Sequence, residues 1–102
     1  MITIIAKLQA APGKEEELKA ALEEMVAAVK ANEAGKALAY SLHTSDKTPG
    51  LFMFYEQYSD EEALKAHSAT AHMAAMNEKI VQGKLLAGRP EIERYTQIAG
   101  VS

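Results

Sequence analysis

The spacing of apolar residues in the first third of the chain predicts a strand followed by a helix. Apolar side chains alternate with others at Ile2, Ile4, Ala6 and Leu8, which is the period of a strand with one buried face. Pro12 and Gly13 then break this pattern. From Lys14 the apolar positions become Leu18, Leu22, Met25 and Val29, which is the stripe of an amphipathic helix.

The rest of the chain predicts three more strands and one more helix. ALAYSLHTS alternates with Leu38, Tyr40 and Leu42 on one face, and a DKTPG turn leads to LFMFYEQY, which is apolar on both faces as in a central strand. Ser59 with Glu62 three residues later predicts a capping box for the second helix, and EIERYTQI after Pro90 predicts the last strand. Within that helix we expect a bend near 68–70, with Thr70 capping a second short helix.

This order of elements, β-α-β-β-α-β, predicts an α+β fold of the ferredoxin-like kind, in a single domain of residues 1–102. Its antiparallel four-stranded sheet should have the first and third strands at the centre, and right-handed crossovers place both helices on one face. The third strand offers apolar side chains to the uncovered face as well. Because exposed apolar faces mark interfaces, we predict a homodimer that pairs through its sheet faces.

Composition excludes several classes of function. The chain has 102 residues, a net charge of −3 and no cysteine, so it has no basic patch for nucleic acid, no disulfide and no thiolate chemistry. No segment approaches the roughly 20 apolar residues of a membrane span, and the start of the chain lacks the features of a signal peptide. Nucleotide-binding glycine motifs and a nucleophile elbow are missing as well. We therefore expect a soluble, cytoplasmic protein without nucleic-acid or membrane partners.

Candidate chemistry is concentrated in the stretch EQYSDEEALKAHSATAH, which contains Glu56, His67 and His72. Both histidines should point inward, where an imidazole could pair with a buried carboxylate. A metal site is the weaker interpretation, because the spacing of five residues differs from the four that a chelating helical pair needs. His67 as an ordinary core histidine, bonded to a carbonyl or to Glu56, remains open, and His43 fits the rim of the sheet.

The whole pattern resembles the antibiotic biosynthesis monooxygenase superfamily, in particular its small quinol-monooxygenase-like members. IIAKLQAAPGKEEEL is similar to the first strand, Pro-Gly turn and helix of that family, and NEAGKALAYSLH to its E-x-G segment. FYEQYSDEEALKAHSATAH is close to the family pattern E-x-W-x-s-x-x-A-L-x-x-H-x-x-T-x-H. Tyr58 stands where the family has tryptophan, and with no asparagine in the first strand this argues against haem degradation.

The resemblance implies a dimeric α+β barrel with one cavity per subunit, and oxidation of quinols or related electron-rich aromatics by dioxygen without flavin, haem or metal. In such chemistry a base takes a phenolic proton and a dry cavity protects the intermediate. His67 is the best candidate for the base, His72 is second, and Glu56 would orient one of them. Side chains expected to contact the substrate are Tyr58, Tyr40, Phe54 and Met76.

Two other functions fit the same residues. An isomerase or other proton-transfer enzyme on a small metabolite would use the histidines as acid and base. A non-enzymatic protein would simply hold an apolar ligand in the cavity, and an all-apolar lining with His67 bonded to backbone would favour that function. Fold alone does not decide among the three.

Overall fold

The computed structural model describes residues 1–101 and has the element order β-α-β-β-α-α-β. Its elements are β1 (Ile2–Gln9), α1 (Glu15–Asn32), β2 (Ala37–Thr44), β3 (Leu51–Tyr58), α2 (Glu61–Ser68), α3 (Ala71–Gly83) and β4 (Glu91–Thr96). The four strands form one antiparallel sheet in the order β2-β3-β1-β4. This is the ferredoxin-like α+β fold that the sequence predicts, with the first and third strands at the centre.

The three helices cover one face of the sheet and create the core there. Side chains of β1 and β3 that alternate toward the helices are buried, and Leu18, Leu22 and Met25 of α1 pack against them. Burial of such side chains contributes about 1.5–3 kcal/mol each. On the opposite face, Ile5 and Tyr55 pair across β1 and β3 and stay half-buried, so the uncovered face keeps apolar surface.

The second helical segment is broken, as the sequence predicts. Helix α2 ends at Ser68 and α3 begins at Ala71, with Thr70 as its N-cap: the Thr70 hydroxyl accepts a hydrogen bond from the backbone N–H of Met73. Such a cap supplies a partner for one of the backbone donors that a helix start leaves open. The break turns α3 to a new direction, and this sets where His72 points.

Two local predictions are wrong. The cap of α2 is Asp60 rather than Ser59, because Asp60 has extended backbone and its carboxylate accepts from the N–H of Ala63. Leu38 does not share a face with Tyr40 and Leu42, because the pairing register of β2 shifts between Ala37 and Ala39 and leaves Leu38 47% exposed.

None of the helices in residues 1–101 is long and apolar enough to cross a lipid bilayer.

Candidate functional site

A cavity of about 240 Å³ lies between the sheet and the helices α2 and α3. Its floor is apolar and comes from the buried face of β1 and from Phe54. Three polar side chains reach into this lining, namely Tyr40, Glu56 and His67. Exposed residues form its mouth: Ser68, Asn77, Pro90 and Ile92. The cavity therefore combines an apolar body with a few convergent polar groups, the usual composition of a ligand site.

His67 projects from α2 into the interior and is only 2% exposed. Its Nδ1 lies 2.9 Å and 3.1 Å from the two carboxylate oxygens of Glu33, so this nitrogen carries the proton and donates. The neutral imidazole then has its lone pair on Nε2. Within the part of the chain that the structure describes, this buried Nε2 has no hydrogen-bond partner. An unpaired buried acceptor is costly, and such a cost on a side chain that lines a cavity is typical of a functional group.

Glu33 was missed by the sequence analysis, which assigned the orienting carboxylate to Glu56. Glu33 directly follows α1, and its backbone N–H still bonds to the carbonyl of Val29. The chain turns away at Gly35, whose φ of +82° favours glycine. The carboxylate of Glu33 thus stays inside, and the residue is 4% exposed. The available signal was a lone acidic residue two positions before a glycine that ends a helix.

His72 approaches the same carboxylate from α3. Its Nε2 lies 2.5 Å from Oε2 of Glu33, and its side chain is 17% exposed. On one continuous helix, residues five apart diverge by about 140°, so the break before α3 is what brings both imidazoles to Glu33. We call Glu33, His67 and His72 the Glu–His cluster.

Glu56 lies on β3, next to His67 of the Glu–His cluster. Its Oε1 accepts a 2.7 Å hydrogen bond from the Tyr58 hydroxyl and lies 3.8 Å from Nε2 of His67, which is too long for a hydrogen bond. Burial raises the pKa of the Glu56 carboxyl, and the bond from Tyr58 and the nearby His67 offset part of that effect. Glu56 therefore keeps its proton to a higher pH than an exposed glutamate does.

The rings of Tyr40 and Tyr58 border His67 on the sheet side, each with its centroid 5.3 Å from that of the imidazole. The Tyr40 ring lies 4.9 Å from the Phe54 ring and 5.3 Å from the imidazole of His67, centroid to centroid. Burial and the carboxylates of Glu56 and Glu33 raise the pKa of the Tyr40 phenol far above its ordinary value. Its hydroxyl therefore stays protonated and can serve as a donor to a ligand, not as a base.

The residues proposed from sequence fall into two groups. Lining the cavity are His67, Glu56, Tyr40, Phe54 and Met76. His72 lies instead in a groove between α1 and α3, and it is connected to His67 by its hydrogen bond to Glu33. Tyr58 is fully buried, is absent from the cavity lining and contacts Glu56. His43 is exposed on β2 and bonds to the Ser41 hydroxyl at 2.8 Å.

The three groups of the Glu–His cluster offer a nitrogen, a nitrogen and an oxygen within 4.8 Å of one another. Such a set has the residue types of a divalent metal site. Here, however, hydrogen bonds between the groups already occupy those atoms. We therefore assign no metal ligands to the cluster.

Comparison with known proteins places this geometry in a family. A protein of Caulobacter crescentus CB15 described as a candidate antibiotic biosynthesis monooxygenase is 33% identical, with a TM-score of 0.87 over 96% of this chain and 90% of its own. The Pseudomonas aeruginosa protein PA3566 is 32% identical, with a TM-score of 0.85 over 96% of this chain and 94% of its own. Rv0793 of Mycobacterium tuberculosis, at 22% identity and a TM-score of 0.87 over 99% and 98% of the two chains, shares the fold.

No curated protein matches the chain by sequence. The sequence model of the antibiotic biosynthesis monooxygenases, in contrast, matches residues 1–79, which include the whole Glu–His cluster and Glu56. This match covers more than half of the chain, and it agrees with the structural relatives. The chain belongs to the antibiotic biosynthesis monooxygenase family.

Proposed function

We propose that the protein is a monooxygenase that oxidises small quinols or related electron-rich aromatics with dioxygen and needs no cofactor. Family membership supports the oxygenase class. The observation that carries the proposal is the buried, unpartnered Nε2 of His67, a side chain that lines a largely apolar cavity. Glu33 holds the opposite ring nitrogen, which leaves Nε2 as a proton acceptor for a ligand hydroxyl.

The chemistry needs only a base and a dry site. His67 Nε2 takes the proton of a phenolic hydroxyl, and the resulting phenolate donates electrons to dioxygen. One oxygen atom forms a new bond to the ring, and the other leaves as water after it takes up the protons released. The quinol supplies all four electrons that reduce dioxygen and becomes a hydroxyquinone. Apolar walls from β1 and Phe54 keep water away from the reactive intermediate.

The other cavity residues have supporting roles in this proposal. Tyr40 donates a hydrogen bond to a second oxygen of the quinol, since its phenol stays protonated. Phe54 and Met76 provide apolar contact for the ring. Tyr58 acts through Glu56, whose position it fixes. At about 240 Å³ the cavity is below the usual 300–1,000 Å³ of drug-sized sites, which favours substrates of one or two rings.

We further propose that two copies pair through the uncovered sheet face. Half-buried Ile5 and Tyr55 lie at its centre, and the exposed Leu38 and Tyr95 lie toward its edges. A concave region of about 790 Å³ on this face includes Tyr55, Tyr95 and the described end of the chain. A second copy is the simplest closed way to cover such a surface.

The proposal is tested by measuring oxygen consumption with 1,4-dihydroxynaphthalene, a two-ring quinol, and subtracting the rate without protein. A monooxygenase consumes one dioxygen per quinol and gives the hydroxyquinone and water. Spontaneous oxidation of quinols releases hydrogen peroxide instead, so catalase distinguishes the two reactions. If a panel of one- and two-ring quinols shows no oxygen consumption above the background, the proposed function is rejected.

A proton-transfer isomerase is the second candidate, and Glu56 favours it. Its carboxyl, with a raised pKa, lies 3.8 Å from His67 Nε2, so the cavity wall carries a proton donor beside a proton acceptor. Such an enzyme would exchange a carbon-bound hydrogen of its substrate with deuterium from the solvent and would consume no oxygen. A purely binding function is less well supported, because His67 bonds to a carboxylate rather than to backbone and Glu56 lines the cavity.

A further inference from the structure

Glu33 accepts hydrogen bonds from two imidazoles that face different spaces. His67 borders the cavity, whereas His72 borders a separate groove of about 130 Å³ between α1 and α3. The side chain of His67 is 2% exposed and that of Glu33 is 5% exposed, compared with 17% for His72. The Glu–His cluster is thus a continuous hydrogen-bonded connection from a buried imidazole beside the cavity to a more exposed imidazole in the groove.

The charge of this cluster is constrained by its burial. A buried carboxylate needs a compensating positive charge. Two neutral imidazoles would leave the cluster with one net negative charge, and two imidazolium ions would leave it with one net positive charge. With Glu33 ionised, as two donating imidazoles favour, only the state with one imidazolium is neutral. A charge on His72 loses less hydration than a charge on His67, because the side chain of His72 is 17% exposed and that of His67 is 2% exposed.

Charges around the cluster do not supply an alternative partner for Glu33. Toward the sheet, His67 faces Glu56, Tyr40 and Tyr58, which are acids rather than cations. Toward the groove, Lys79 of α3 pairs with Glu24 of α1. Among the described residues that surround the cluster, the imidazoles are therefore the groups placed to balance Glu33.

We propose that His67 and His72 share one extra proton through Glu33, and that His72 carries it when the cavity is empty. His67 is then neutral and has a free Nε2. In a second half, which rests on the proposed function, the hydroxyl of a bound quinol gives its proton to His67 Nε2. His72 releases its Nδ1 proton to water in the groove at the same time. The cluster keeps its proton count, and the positive charge moves beside the new phenolate. His72 is thus a positioning residue that acts through Glu33.

The first half is tested without any ligand by nitrogen NMR of the protein labelled at its histidine ring nitrogens, at neutral pH. Wild type should show His72 as an imidazolium and His67 as a neutral ring with its proton on Nδ1. In His72→Gln the amide can still donate to Glu33 but cannot carry the extra proton. His67 should then become the imidazolium, a change that a purely structural role for His72 would not produce.

Two further variants make the test reciprocal. In His67→Gln, His72 should remain an imidazolium, and in Glu33→Gln both rings should be neutral because no buried anion needs balance. His43, which is exposed on β2, serves as the control inside each sample and should not change. Amide spectra show which variants keep the native fold.

The proposal is overturned if both rings are neutral in wild type, or if His67 stays neutral in a folded His72→Gln. These outcomes do not depend on catalysis. The predicted nitrogen signals without oxygen consumption on any quinol would support the shared proton and reject the monooxygenase together with the second half that rests on it.

Discussion

Glu33 is a carboxylate at the end of one helix that accepts hydrogen bonds from imidazoles on two others. It determines which ring nitrogen of His67 carries a proton, and hence that the buried Nε2 of this cavity-lining side chain is the one left free. The role of Glu33 explains why the residue is buried in spite of the cost. At the scale of residues, this contact converts an ordinary inward-facing histidine into a candidate base.

Glu56 provides a prediction about pH at this scale. Burial raises the pKa of its carboxyl, so the folded protein binds that proton more tightly than the unfolded chain does. Stability is therefore lost as pH rises from the unfolded pKa, about 4.3, through the folded one. Each unit of difference corresponds to ~1.4 kcal/mol. Glu56→Gln removes the titration and can still accept from Tyr58, so it should gain in free energy of unfolding relative to wild type between pH 4 and 8.

Urea unfolding at a series of pH values measures this difference. Glu23→Gln, an exposed change on α1, is the matched control because it also removes one carboxylate. A Glu56→Gln curve parallel to that of wild type across this range would show that burial of Glu56 has no energetic consequence.

At the scale of secondary structure, the break between α2 and α3 at residues 69–70 has the largest effect on where the two histidines lie. Thr70 caps α3 and also donates from its hydroxyl to the carbonyl of His67, so a single side chain joins the end of α2 to the start of α3. A straight helix would turn His72 away from the carboxylate that His67 contacts. Because of the break, His67 and His72 can both bond to Glu33 although they are five residues apart.

Much of the secondary structure was predictable from sequence, because hydrophobic periodicity and helix capping depend on residues close together in the chain. The alternation in β1, the stripe of α1 and the Thr70 cap all depend on residues a few positions apart. The displacement of Leu38 was not predictable, since a bulge depends on the partner strand. The pairing of Glu33 with the two histidines was not predictable either, because they lie 34 and 39 residues away and no local pattern connects them.

For the whole molecule, the fold could be predicted because the hydrophobic pattern, the turns and the order of the elements all indicate the same arrangement. The candidate site could be predicted only in part: the cavity-lining residues His67, Glu56, Tyr40, Phe54 and Met76 were named from the sequence, but Glu33, the carboxylate bonded to His67, was not. Burial of a charged group at a loop depends on how the entire chain closes around it.

The proposed dimer depends on the whole uncovered sheet face. Tyr55→Glu places a charge at the centre of the uncovered sheet face, and it should convert the dimer to a folded monomer, because a charge buried there would lack a partner. Val81→Glu is the matched control, since Val81 is an apolar residue of α3 that is 73% exposed. Sedimentation at micromolar concentration should give twice the mass of the chain for wild type and Val81→Glu. A wild-type monomer would contradict the predicted pairing.

The role of His67 as the base is tested most directly by the rate of oxygen consumption in His67→Gln relative to wild type, with 1,4-dihydroxynaphthalene as the quinol. Loss of a general base lowers the rate of the reaction by about 10²–10⁴-fold. We therefore expect the rate to fall at least about 10²-fold in His67→Gln, and to stay near the wild-type value in His43→Gln, whose ring is exposed on β2. A folded His67→Gln protein that consumes oxygen as fast as wild type would contradict the claim that the free Nε2 of His67 is the working base.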